Sequence, residues 1–281
     1  MFISPKRVMI NLFIIEASSK IQPSCDPPQA EKQSQFQHRE RDCFPARPAG
    51  GGRSSLAMTY SLFLRWLLVI LIGGIAYPAL AQKTDSRYFE MRTYHCHEGK
   101  RPDLIKRFQD HTVKLFEKSG IENIAYFLPV DESNNTLTFI LAYPNRESRD
   151  RLWNTFANDP EWKAVFKQSE ANGPLLTKID QTFMTLAPEL SSGIAKLPSE
   201  ERIFELRTYF LHPGRVDAIN ARFRDHTRAL FERHGMTNVV YWYTVEPDNA
   251  QPKLVYLLAH KGVEEAKNSF DKFRDDPDWK R

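Results

Sequence analysis

The chain has 281 residues, with 39 Lys and Arg against 35 Asp and Glu, a formal charge of +4 and 41% hydrophobic residues. This length allows one to three domains with ordinary packed cores. So small a charge excess gives no electrostatic argument for a nucleic-acid partner.

Residues 1–57 are rich in Pro, Gln, Ser, Gly and Arg and show no sustained hydrophobic period. Such a segment buries too little apolar surface to offset its ordering entropy. It is expected to be a disordered or non-native N-terminal extension, with Met58 as the true start. The extension holds 8 Lys and Arg and 5 Asp and Glu, leaving 31 against 30 in residues 58–281, a net charge of +1.

Residues 58–81 read as a secretory signal peptide. Arg65 precedes an apolar run from Trp66 to Ile75, and Ala79-Leu80-Ala81 supplies a small-x-small cleavage pattern before Gln82. The expected location is therefore periplasmic or secreted. The alternative is an uncleaved anchor formed by residues 62–81, the chain's single route to a membrane. Of the three cysteines, Cys25, Cys43 and Cys96, only Cys96 follows the signal, so no internal disulfide is expected in the mature chain.

From Tyr88 to Tyr94 the sequence alternates as a strand does, with Phe89, Met91 and Thr93 on one face and Glu90, Arg92 and Tyr94 on the other. Pro102 opens a helix on which Leu104, Phe108, His111, Thr112 and Leu115 share a face, and Gly120 stops it. Strands follow at 121–128 and 136–143 around the polar turn Asp131–Asn135. A helix at 146–158 is restarted by Asp159-Pro160 and closed by Gly173-Pro174, before a strand at 178–186. The order is β-α-β-β-α-β, the ferredoxin-like arrangement.

After a linker at 189–202 the pattern starts again. Between residues 89 and 128, 18 of 40 positions match their counterparts 115 residues on. The second hairpin is two residues longer, so Asp159-Pro160-Glu161-Trp162 reappears as Asp276-Pro277-Asp278-Trp279. The expected fold is α+β: two ferredoxin-like repeats, 88–188 and 203–281, facing each other as in a dimeric α+β barrel. The second repeat is incomplete, lacking its last strand. The chain is read as a fragment or truncated product with a bared sheet edge, or as one whose missing strand comes from a neighbouring molecule.

The residues repeated in both halves resemble the NIPSNAP family of the dimeric α+β barrel superfamily. They are Phe89-Glu90-Met91-Arg92-Thr93-Tyr94, Gly99, Phe108, His111-Thr112, Leu115-Phe116-Glu117 and Gly120, with Phe204-Glu205-Leu206-Arg207-Thr208-Tyr209 and its followers in the second copy. The resemblance implies the barrel fold. Superfamily relatives include cofactor-free oxygenases and haem enzymes, and animal NIPSNAP proteins are associated with mitochondria and protein interactions. The cofactor stays open, haem included.

Three functions compete: an exported protein binding a small hydrophobic ligand in the barrel, a cofactor-free or haem-dependent monooxygenase-like enzyme, and a non-enzymatic interaction module. Homo-oligomers are compatible with each. Arg92 and Arg207, with Tyr94 and Tyr209, are expected to face the barrel interior, where an arginine among aromatics holds a carboxylate or enolate. The competing role is a buried Arg–Glu pair with Glu90 or Glu205. His111 and His226 are expected on the apolar helix face, as a base, a haem ligand or a satisfied core histidine. Tyr126 and Tyr241 are either ligand contacts or core. His95-Cys96-His97 has metal-like spacing, but only His97 recurs (His212), and alternation turns Cys96 away from both histidines, so no metal site is expected.

Overall fold

The computed structural model describes Met9–Ile14 as backbone, and residues 85–196, 202–247 and 250–281 in full. The signal segment 58–81 lies outside the described residues. Among those described, no helix is long and apolar enough to cross a membrane.

Repeat 1 runs β2 (Tyr88–Cys96), α1 (Arg101–Arg107), a π-helical turn (Phe108–Thr112), α2 (Val113–Lys118), β3 (Glu122–Pro129), β4 (Thr136–Tyr143), α3 (Arg146–Asn158), α4 (Pro160–Ser169) and β5 (Leu176–Leu186). Repeat 2 runs β6 (Ile203–Phe210), α5 (Val216–Arg222), a second π-helical turn (Phe223–Thr227), α6 (Arg228–Arg233), β7 (Thr237–Thr244), β8 (Lys253–His260), α7 (Val263–Asp275) and α8 (Pro277–Lys280). Gly120 (φ 83°) and Gly235 (φ 82°) terminate α2 and α6 in the left-handed conformation that glycine adopts without strain. Asp159 and Asp276 cap α4 and α8, accepting the Glu161 and Asp278 amides at 2.8 Å each.

With Met9–Ile14 as β1, the strands close into a barrel in the order β1-β3-β4-β2-β5-β7-β8-β6, so the two repeats form one body, the predicted α+β barrel. The closing strand is β1 (Met9–Ile14), within residues expected to carry no element. Its sequence, Met-Ile-Asn-Leu-Phe-Ile, is a short β-prone run. It lies between β3 and β6, the place beside the first strand of repeat 2 that β5 takes in repeat 1.

Three cores result. Phe89, Phe127, Ile140, Met184, Leu206, Trp242 and Leu257 line the barrel between the repeats, and the linker's Ile194 packs against them. Leu104, Phe108, Phe116, Phe139 and Phe156 lie between sheet and helices in repeat 1, and Ile219, Phe223, Phe231, Tyr256 and Phe273 in repeat 2. Each repeat also staples helix to strand identically. Asn123 donates to the Val113 carbonyl and accepts from the Tyr126 hydroxyl; Asn238 does the same with Arg228 and Tyr241. This explains why Tyr126 and Tyr241 recur, and both rings are buried core.

Candidate functional site

Strand β2 alternates as its sequence predicts, but the faces are reversed. Glu90, Arg92 and Tyr94 point under the helices, while Phe89, Met91 and Thr93 face the barrel interior. The expectation that Arg92 and Tyr94 line the interior is corrected by α3. This helix supplies its own cation, Arg149, and an aromatic, Trp153, so the Glu90 carboxylate can be buried with its acceptors satisfied and Arg92 stacked on a ring.

Glu90, 0% exposed, is the hub. It accepts from Arg92 Nη1 at 2.8 Å, the Tyr143 hydroxyl at 2.8 Å, Arg149 Nε at 2.9 Å, Arg149 Nη2 at 3.0 Å and Gln181 Nε2 at 2.6 Å. Burial pushes its carboxyl up, but Arg149, Arg92 and Tyr143 outweigh that and hold it below the ordinary carboxylate value. Burial and the Glu90 charge raise the Tyr143 phenol, which stays a donor. The Arg92 guanidinium lies 4.3 Å from the Trp153 ring centre and 5.5 Å from that of Tyr94.

Repeat 2 keeps the frame and loses part of the filling. Arg207 sits 4.5 Å from the Phe270 ring and 5.8 Å from Tyr209, and donates to Glu205 at 3.1 Å. His260 replaces Tyr143 and meets Glu205 at 3.0 Å, while Ala266 stands at the place of Arg149. Glu90 ties sheet to helix layer through Arg149, and in repeat 2 the Arg207 stack on Phe270 makes that tie.

The π-helical turns move the histidines. Val113 N–H reaches back to the Phe108 carbonyl and Arg228 N–H to the Phe223 carbonyl, each turn holding one extra residue. Thr112 and Val113 thereby face the core and His111 faces out, as does His226 in repeat 2. The expected apolar-face position of both histidines is thus corrected. A haem has no fit to them, because they lie on the outer surface, away from the barrel and the helix–sheet cores. His111 lines an open cleft of about 260 Å³ between α1 and α4, with Lys100, Lys106 and Arg107. Its cations are already answered by Asp103, Asp110 and Glu170.

His95 and Cys96 diverge. His95 bonds Asp180 at 2.7 Å, while Cys96 is in the helix-side core, its thiol pushed up to about 11 by burial. Such a thiol is a weak nucleophile.

The barrel interior, which the sequence assigned to the charged triplets, is lined mostly by apolar side chains. His95, Lys178, Asp180 and Lys253 sit where β2, β5 and β8 meet one end, with Glu246 bonded to Lys253 at 2.7 Å, and Arg87 lies over the Phe89 ring and bonds Glu122 toward the other end. Lys178 and His95 both bond Asp180, at 2.7 Å each, and Thr93 pairs with Thr138 at 3.0 Å just inside. Deeper in, Trp242 packs edge-on against Phe89 at 5.8 Å, and its Nε1 is buried without a hydrogen-bond partner among the described residues. The signal for this site was the strand alternation itself, read on the opposite face.

The NIPSNAP family model matches residues 89–190 and 204–281, most of the chain and both repeats. The chain belongs to the NIPSNAP family. Among solved structures it is similar to an uncharacterised NIPSNAP domain protein from Burkholderia xenovorans, 25% identical, covering 34% of this chain and 90% of that one, with a TM-score of 0.31. A NIPSNAP family protein of unknown function from Agrobacterium tumefaciens is 20% identical over 36% of this chain and 87% of its own, with a TM-score of 0.32. A proposed monooxygenase from Lactobacillus acidophilus is 11% identical over 70% of this chain and 85% of its own, with a TM-score of 0.44. No curated protein matches.

Proposed function

We propose that this NIPSNAP-family chain is an exported protein that binds, rather than transforms, a small and largely apolar ligand inside the barrel. The observation that carries this reading is the barrel lining. Both repeats contribute apolar side chains to it, and one lining atom, Trp242 Nε1, is a buried donor without an acceptor among the described residues. Leaving such a donor unmet costs about 1–3 kcal/mol, and an acceptor on a bound ligand removes that cost. Binding is favoured over catalysis because the carboxylate of the repeated first strand, Glu90, is saturated by four side chains and faces away from the barrel.

Native mass spectrometry of the purified full chain is the test, with a long-chain fatty acid and a naphthoquinone offered as probes. A bound mass that dissociates on denaturation is expected. Trp242→Phe is expected to lose it while costing the fold no more than about 2 kcal/mol. A protein that takes up neither probe and carries no compound contradicts the proposal. The export component rests on residues 58–81, and predicts a mature N-terminus at Gln82 when the chain is expressed from Met58, a form that lacks β1 and leaves the place between β3 and β6 open.

A further inference from the structure

The strand that completes the barrel fits its place poorly. In repeat 1, β5 lies beside β2 antiparallel, with eight registered positions from Phe89↔Met184 to Cys96↔Leu176. In repeat 2 the same place is held by β1, which runs parallel to β6 over three positions, Leu12↔Phe204 to Ile14↔Leu206. On its other side β1 runs parallel to β3 over four positions, Met9↔Tyr126 to Leu12↔Pro129. Every other neighbouring pair in the barrel is antiparallel. Parallel pairing is somewhat weaker per residue. Beyond Leu206, the outer edge of β6 continues through Thr208 to Phe210 without a strand partner among the described residues. Phe210 is 68% exposed. Unpaired edge amides and carbonyls are a template for another strand.

We propose that the place between β3 and β6 is a strand-acceptor site. It takes an extended segment of a partner polypeptide that runs antiparallel to β6 with alternate apolar side chains, and β1 is its displaceable occupant. The repeat symmetry sets orientation and chemistry. β5 bridges the first strand of repeat 1 to the second strand of repeat 2, and an incoming strand would bridge β6 to β3 in the same way. β5 turns Thr182, Met184 and Leu186 toward the interior, and the acceptor site presents Phe127, Phe204 and Leu206 there. Backbone hydrogen bonds along the β6 edge give affinity, and the alternate apolar positions give selectivity.

A labelled peptide with the sequence of residues 176–186 is a ready probe. Titrated into the full chain and followed by fluorescence anisotropy, it is expected to bind saturably, while a scrambled peptide does not. In Leu12→Pro, β1 loses a ladder N–H, and relieving this internal competitor is expected to tighten peptide binding by about tenfold. Amide exchange on the unsubstituted chain, independent of whether that variant folds, is expected to slow at Thr208 and Phe210 when peptide is added. Equal binding of the scrambled peptide, or affinity unchanged in a folded Leu12→Pro, would overturn the proposal. Unchanged exchange at both amides under saturating peptide would do the same. Dimerisation of Leu12→Pro that excludes the peptide would assign the site to a second copy of the chain instead.

Discussion

Replacing Glu90 by Ala is expected to destabilise the protein by about 3–5 kcal/mol, measured by urea unfolding at neutral pH. The carboxylate is fully buried and neutralises two guanidiniums at once, so its loss strands Arg92 and leaves Arg149 with Asp150 alone. Glu90→Gln retains the shape and leaves the same charge on Arg92 unanswered, so it rescues little. The matching change in repeat 2, Glu205→Ala, is expected to cost less, about 1.5–3 kcal/mol. There the carboxylate meets Arg207 and His260, with alanine at the place of Arg149.

The same site predicts a pH dependence with a definite sign. Glu90 has a folded pKa below its unfolded value, so its contribution to stability is fully present above the unfolded pKa, about 4.3. That contribution is lost as pH falls through the lower folded value. Comparing unmutated and Glu90→Gln chains between neutral pH and pH 3 should show the difference narrowing in the acid range. A difference that grows toward acid would contradict the assignment.

Phe108→Ala is expected to cost about 3–5 kcal/mol, whereas His111→Ala, three residues on, stays within about 0.5 kcal/mol. Phe108 is 1% exposed and touches Tyr94, Phe116, Tyr126 and Phe139, with ring centres 5.1–6.4 Å away. In an uninterrupted α-helix, residues 108 and 111 share a face, and both substitutions would hurt. The π-helical turn separates them. Phe223→Ala and His226→Ala should repeat the contrast in the second half, where Phe223 is 0% exposed. Thermal or urea unfolding of the four variants checks it. A large loss from either histidine variant would mean that the helical register is uninterrupted.

Much of the architecture was legible because local chemistry decides it. Pro102, Gly120 and the Asp159-Pro160 restart mark helix boundaries through caps and left-handed stops, and in repeat 2 Gly235 and Asp276-Pro277 act likewise. Three things were not legible. Period-2 alternation gives two faces without saying which meets the helices. That depended on Arg149 and Trp153, whose approach to Glu90 and Arg92 is a tertiary contact spanning more than fifty residues. A single inserted residue in the helix turned His111 outward while leaving the stripe of Leu104, Phe108 and Leu115 intact. Finally, the strand completing the barrel comes from Met9–Ile14, whose pairing has no local signal beyond a six-residue β-prone run.

These assignments converge on a division of labour between the two faces of each sheet. Charged triplets hold the helix layer, and the apolar inner face is the proposed ligand site. The direct measurement is an isotope-filtered NMR spectrum of the methyl-labelled chain with its bound ligand. Contacts from Leu206, Val255 and Leu257, which line the barrel, are predicted. Contacts from Leu104 and Leu141 or from Leu258, which lie beneath the helices, with none from the barrel methyls, would contradict the account.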